Sequence, residues 1–506
     1  MTIPTVYLVG AGPGHPGLLT LRAVECLREA DLVLYDKLVA PVLLEYAPAS
    51  AEKRCVTELA EHHDDRVLPI HDSMIAAARA GKCVVRLKGG DPLVFGRGAE
   101  EAEVLRQAGI PFEIVPGVTA ALGAAAYAGI SLTHRACASA VAFVTGHENP
   151  TKPESAVDWK ALARFPGTLV IYMGMSRLDR IVATLVAEGM DSQTPAAIVQ
   201  YATLGTQRTL TASLGDLPRR ARAEGVSAPA VIFIGPVVAL RDELAWFERR
   251  PLFGKRVLVT RPKQQAGEMV HRLAEMGAVP FVLPSVEIRP LSDWTAVDNA
   301  IRTLPQYDWL VFTSANGVNA FLGRLEALGL DMRALGNTRL AAIGPKTAEA
   351  LTAYHLRPDV VPARFQSEDL AAALIAYIQP GKRVLLARAD RGREILKELL
   401  EAHCLVEQLA VYSQVDAVEP DSELMDALRR GEIEFVTLTS SNIARALLGR
   451  LDATCRRRIE AGEIKLVTIS PVTSEAVRAL ALPVAAEATE ATTAGVVEAM
   501  VRLVRE

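Results

Sequence analysis

The chain has 506 residues, half of them hydrophobic and 23% charged, which excludes extensive disorder and predicts three or four lobes at roughly 150 residues each. Its 55 lysines and arginines against 59 aspartates and glutamates leave a net charge of −4. No general cationic field exists for nucleic acid or an anionic membrane, so any anionic ligand must be held by local arginines.

The six cysteines, at 26, 55, 83, 137, 404 and 455, lack C-x-x-C spacing, and in a chain of this size they are expected to be reduced thiols of a cytoplasmic protein. There is no basic leader before the first apolar stretch and no run of about 18 apolar residues, which predicts an untargeted protein outside the membrane. Short β-branched runs alternate with alanine- and leucine-rich stretches from end to end, as in VYLVG then LLTLRAVECLREA, and TLVIYMG then LDRIVATLVAEG. This is an α/β pattern.

The first strand runs into GAGPGHPG, where Gly12, Gly14 and Gly17 satisfy G-x-G-x-x-G before a helix. Alone this suggests a dinucleotide loop of an NAD-dependent oxidoreductase. Pro13 and Pro16 remove N–H donors that a pyrophosphate would use, which favours a tight glycine turn of another kind. Next, His62, His63, Asp64 and Asp65 have the chemistry of metal ligands, but adjacent side chains rarely converge on one ion. An exposed polar loop and no metal are expected there.

A second loop, VVRLKGGDPLVFGRGAEE (84–101), places Gly89 and Gly90 where a ligand could meet bare backbone, with Asp91 as an acceptor. A third, VPGVTAA, delivers the Thr119 hydroxyl at a helix start. The bulky, charged LAWFERRPLFG (about 244–254) then marks a boundary before the strand RVLVT.

Beyond it the chain repeats. FTSANGVNAFLGRL (312–325) and LTSSNIARALLGRL (438–451) share eight of fourteen residues at an offset of 126, and LAAIGPKTAEAL (340–351) matches LVTISPVTSEAV (466–477) in six of twelve positions at the same offset. GKRVLVTRP (254–262) and GKRVLLARA (381–389) lie 127 apart. Two similar lobes are expected, with a ligand cleft between them. Their strands end in hydroxyl turns: Thr313 and Ser314, Thr439, Ser440 and Ser441, then Thr347 and Thr473 near helix starts. These are either cradles for carboxylates or plain helix caps.

Taken in order, GAGPGHPGLLTLRA, YDKLV, VRLKGGDPLVFGRGAEE, VPGVTAA, LTHR, VTGH, TLVIYMGM and SAPAVIFIGPVVALRD resemble the uroporphyrinogen-III C-methyltransferases of the tetrapyrrole methylase family, over about residues 3–248. The resemblance implies a two-lobed α/β fold, S-adenosylmethionine bound between the lobes, and a homodimer formed through this half. It implies cofactor contacts from Pro13, Gly89, Gly90, Asp91, Val94, Thr119, Ala120, Met173 and Ala202. It assigns the carboxylate-rich macrocycle to Arg97, Arg135 and His147, and Glu100 to orienting Arg97 or a pyrrole N–H. Asp36 matches the family's proposed proton acceptor. The match departs at His15, where the family reads G-P-G-D, and at Glu58, where it carries a lysine proposed to donate a proton.

VLVTRP, LVFTSANGV, IGPKTAEAL, FQSEDLAAALI, VLLARADRGREIL, LAVYSQV, TLTSSNIARAL and ISPVTSEAV resemble uroporphyrinogen-III synthase over 254–506. That family has two α/β lobes joined by a two-strand hinge and closes hydroxymethylbilane with inversion of one ring. Tyr412 matches the tyrosine proposed to help the leaving hydroxide, and Ser314, Thr347, Ser440 and Thr473 are expected at the substrate. The expected domains are 1–248, with lobes of about 1–118 and 119–248, and 249–506, with one lobe of 254–288 plus 413–506 and another of 291–410. The expected function is bifunctional: cyclisation to uroporphyrinogen III, then methylation to precorrin-2. The alternatives are a methylase half without catalysis, an NAD-dependent oxidoreductase at the N-terminus, and a paired-lobe binding protein for tetrapyrroles or other anions.

Overall fold

The computed structural model describes residues 5–56, 68–147, 157–392, 394–416 and 422–505. The chain forms two compact units, Met1–Lys255 with His271–Val279, and Arg256–Val270 with Pro280–Glu506.

The first unit holds two sheets. Strands β1 (Val6–Gly10), β2 (Leu32–Tyr35), β3 (Glu52–Cys55), β4 (Val84–Lys88) and β5 (Phe112–Val115) form a parallel sheet in the order β3-β2-β4-β1-β5. Its central strands are covered on both faces and read as largely apolar runs, whereas the edge strand β3 is EKRC. Val6, Leu8, Leu34 and Val84 pack towards Met74 and Leu105, whereas Val9, Val33, Val85 and Leu87 pack towards Ala23 and Leu27. Side-chain alternation along each strand sorts the two layers.

The second sheet joins β6 (Val141–Thr145), β7 (Thr168–Tyr172), β8 (Pro195–Gln200), β9 (Arg208–Ser213) and β10 (Ala230–Ile234) in the order β6-β7-β10-β8-β9. Only β6 and β7 are parallel, and the later pairs are antiparallel.

In the second unit, one sheet has the order β12-β11-β18-β19-β20, built from β11 (Arg256–Val259), β12 (Val279–Val282), β18 (Phe435–Leu438), β19 (Lys465–Thr468) and β20 (Ala486–Glu487). The other has the order β13-β17-β16-β14-β15, built from β13 (Val286–Arg289), β14 (Trp309–Phe312), β15 (Arg339–Ala342), β16 (Arg383–Ala389) and β17 (Leu405–Asp416). The strand that opens each sequence repeat lies in the other repeat's sheet: β11 pairs with β18, and β16 with β14. β13 runs antiparallel to the far end of the twelve-residue β17, with Val286 opposite Asp416 and Arg289 opposite Ser413. Among the described residues, no helix is long and apolar enough to cross a membrane.

Candidate active site

Three loops of the first unit meet at glycines. Gly12 and Gly90 exchange backbone hydrogen bonds of 3.1 and 2.8 Å, and Ala11 N donates to Lys88 O at 2.7 Å. A Cβ on Gly117 would collide with Gly90 O, and one on Gly10 would lie only 2.6 Å from Gly117 N. The backbones therefore approach as closely as glycine alone permits. Asp91 ties this junction together: its Oδ1 accepts from Leu93 N at 2.8 Å and its Oδ2 from Gly117 N at 3.1 Å. Gly89 lies exposed at the rim.

Thr119 stands at the N-cap of helix Ala120–Ala128 without using its side chain as a cap. Its hydroxyl instead pairs with the Tyr172 hydroxyl at 2.7 Å, which also accepts from Ala121 N at 3.0 Å. Burial raises the Tyr172 pKa above the ordinary tyrosine value. Val94, Ala120 and Ala202 pack against the core cluster that contains Tyr172. Met173 follows Tyr172 with φ of 54° and stays exposed. Pro13 seats on the same helix, where a Cβ on Gly123 would run into its ring. The residues expected to bind the cofactor thus gather around the glycine junction and the start of one helix.

His15, the first departure from the family pattern, is buried and caps the short turn Pro16–Leu18, its Nδ1 accepting from Gly17 N at 3.0 Å. Burial lowers its pKa, which keeps the ring neutral and able to accept.

Asp36 follows β2 and accepts from Arg86 Nη2 at 2.5 Å through Oδ1 and from Gly89 N at 3.3 Å through Oδ2. Arg86 Nε donates in turn to Glu101 Oε1 at 3.0 Å, which also accepts from Lys88 Nζ at 2.8 Å. Burial lowers the Lys88 pKa below the ordinary lysine value. Arg97, with φ of 59°, is exposed and forms a forked ion pair with Glu100, closest contact 2.6 Å. Glu100 is thus the ion-pair partner of Arg97. Arg135 is exposed on a turn closed by backbone bonds between His134 and Ala138. His147 is exposed beside Gly146, whose N–H donates to Tyr172 O at 2.7 Å.

In the second unit, the Tyr412 and Ser314 hydroxyls lie 3.0 Å apart. Tyr412 is buried in the core around Phe312 and Phe321. Ser314 caps helix Ala315–Ala327 by accepting from Gly317 N at 3.0 Å, and Ser440 caps Ser441–Leu448 by accepting from Ile443 N at 3.2 Å. Thr347 and Thr473 are buried in the first turns of their helices, and Thr473 pairs with the Ser470 hydroxyl at 3.2 Å. The Ser314, Ser440 and Thr473 hydroxyls are thus engaged at helix starts.

Glu58 and the His62, His63, Asp64, Asp65 cluster lie outside the described residues. Among the described residues, no group of three or more potential ligands is placed to hold a metal ion. Sequence reasoning missed Tyr172, Arg86, Lys88 and Glu101. The signal for the cations was present in VVRLK, where residues two apart on an otherwise apolar strand share a face and need anions.

The family of Tetrapyrrole (Corrin/Porphyrin) Methylases matches residues 5–218, and the family Uroporphyrinogen-III synthase HemD matches residues 267–498. The porphyrin biosynthesis protein HemD of Ruminiclostridium josui is 35% identical over 447 residues, covering 88% of each chain. The siroheme synthase of Pseudomonas fluorescens (strain Pf0-1) is 49% identical over 248 residues, 49% of this chain and 53% of that protein, so the chain spans about half the length of such relatives. Among solved structures, uroporphyrin-III C-methyl transferase from Thermus thermophilus, complexed with S-adenyl homocysteine, is 42% identical over 46% of this chain and 93% of that one, with a TM-score of 0.39. A mutant uroporphyrinogen III synthase from Thermus thermophilus is 21% identical over 50% of this chain and 99% of that one, TM-score 0.39. The fold and the two matches define an enzyme with a methyltransferase half followed by a synthase half. The chain belongs to the family of porphyrin biosynthesis proteins that fuse a tetrapyrrole methylase to a HemD-type uroporphyrinogen-III synthase.

Proposed function

We propose that residues 249–506 close hydroxymethylbilane to uroporphyrinogen III, and that residues 1–248 methylate this product to precorrin-2 with S-adenosylmethionine as the donor. The observation that carries this reading is one chain matching both families in order, with a relative alike across 88% of its length. The tight junction of Gly10, Gly12, Gly90 and Gly117 supports the cofactor role by fixing the loop that presents Gly89, which is exposed and carries no side chain to keep a ligand from its backbone. Methyl transfer breaks the sulfur–methyl bond as the new carbon–carbon bond forms, leaving S-adenosylhomocysteine. Positioning supplies most of the rate, and the macrocycle then gives up a proton to Asp36. Arg97, with Arg135 and His147, meets macrocycle carboxylates through charge-assisted bonds.

In the synthase half, the Tyr412 hydroxyl assists loss of hydroxide from the bilane. The Ser314 hydroxyl is its hydrogen-bond partner, 3.0 Å away. We place this chemistry in a cytoplasmic homodimer associated through the methylase half, where Leu21 and Leu38 present exposed apolar side chains. The deciding experiment incubates the purified chain with hydroxymethylbilane and S-adenosylmethionine and identifies the tetrapyrrole. Dimethylated product is expected. Unmethylated uroporphyrinogen III would make the first half a binding lobe, and no cyclic product would remove the synthase assignment.

A further inference from the structure

Arg86 and Lys88 lie two residues apart on the central strand β4, on the face of Val84 that packs towards Met74 and Leu105. Two cations in such a layer require anions, and the structure supplies Glu101 from helix Gly98–Gln107 and Asp36 from the end of β2. The four groups balance in charge, yet they differ in access. The side chains of Arg86, Lys88 and Glu101 are 4%, 4% and 7% exposed, whereas Asp36 is 32% exposed. Of the four, Asp36 has the greatest access to a ligand. Arg86 further donates through Nη1 to the carbonyls of Leu34 and Leu87, both at 3.3 Å, so its plane is fixed from several sides. It grips Asp36 Oδ1 at 2.5 Å and leaves Oδ2 with the long 3.3 Å contact to Gly89 N, at the start of the ligand loop.

We propose that Arg86, anchored by Glu101, is a positioning residue that fixes the Asp36 carboxylate so that Oδ2 faces the bound macrocycle as the proton acceptor. The inference rests on the reading of Asp36 as that acceptor. Arg86 is too enclosed to touch substrate and acts through Asp36.

The test uses the intact chain with uroporphyrinogen III and S-adenosylmethionine, measuring kcat, KM and, by calorimetry, cofactor affinity. Arg86→Lys keeps the charge but cannot fork to both carboxylates. It is expected to lower kcat by about thirtyfold while cofactor affinity and both KM values stay within about threefold. In an Asp36→Asn background the same substitution should change the residual rate by less than about threefold, because its route of action is already gone. A kcat within about threefold of the unaltered chain, or losses that multiply in the double variant, overturns the inference. An active Asp36→Asn chain removes the acceptor reading and the inference with it, whereas an inactive Asp36→Asn beside an active Arg86→Lys removes the inference alone. Should Arg86→Lys fail to bind cofactor, Glu101→Gln decides. A fall in kcat of about tenfold with cofactor binding retained supports the anchor, and no fall overturns it.

Discussion

Gly90 shows how one residue ties local backbone to ligand space. Its φ of +69° is strained for any side chain, and a Cβ there would sit 3.4 Å from Ala120 N, at the start of the helix that Thr119 leads. A non-glycine residue held in that conformation costs about 1–3 kcal/mol, and valine would also fill the gap between the loops. Gly90→Val is expected to weaken S-adenosylmethionine binding by at least about tenfold in calorimetry, and unchanged affinity would count against the site. Arg97 presents a different case, because Glu100 already occupies its guanidinium fork. In the role proposed for Arg97, a macrocycle carboxylate would compete with that exposed pair, which is worth little in water. Losing a charge-assisted pair costs about 1.5–3 kcal/mol, so Arg97→Ala should weaken tetrapyrrole binding at least about tenfold while sparing the cofactor. Equal loss of both ligands would indicate misfolding. His15 was legible in the sequence only as a departure. Its role as a neutral acceptor for Gly17 N emerged once burial was known.

At the scale of elements, helix starts dominate the synthase half. Asp452 caps helix Ala453–Glu460 by accepting from Thr454 N and Cys455 N, and it also meets Arg429 at 2.7 Å. The Cys455 N–H, followed by Arg429, draws its pKa down from 3.8 to about 2. The folded value lies below the unfolded one, so this stabilisation is complete above about pH 4 and is lost as pH falls towards 2. Protection of the Ala453–Glu460 amides against hydrogen exchange should therefore decline across that window. Asp452→Asn, which can still cap but cannot titrate, should flatten the decline, and Asp452→Ala should lower protection at every pH. The hydroxyl turns at Ser314 and Ser440 were read as carboxylate cradles or caps; their oxygens accept from Gly317 N and Ile443 N as caps do, a role that still leaves each O–H able to donate to a carboxylate. A serine before a helix has the same sequence signature in either role. The choice depends on where the hydroxyl points after the helix has formed.

On the scale of the whole molecule, each unit has its own sheets and its own core, so lesions in one half should leave the other reaction running. Tyr412→Phe should slow bilane cyclisation by about tenfold if its hydroxyl assists the leaving group, while methylation of supplied uroporphyrinogen III proceeds at the unaltered rate. Full cyclisation by this variant would reduce Tyr412 to a packing aromatic beside Ser314.

The sequence by itself determined the α/β alternation and the glycine loops, which depend on residue periodicity and local backbone freedom acting over a few neighbouring residues. The order of the two halves was legible only through their motif resemblances to two families. The duplication was equally plain, because FTSANGV and LTSSNIA still match. Periodicity left open that β11 joins β18 and β16 joins β14, since matching repeats offer equivalent strands; the expectation that they do came from the family resemblance, and long-range packing makes the choice. Tertiary structure alone brought Asp36 to Arg86, fifty residues on, and Glu101 to both Arg86 and Lys88. The physical reason is that a charge finds its partner only after burial in a layer removes the water that would otherwise serve it.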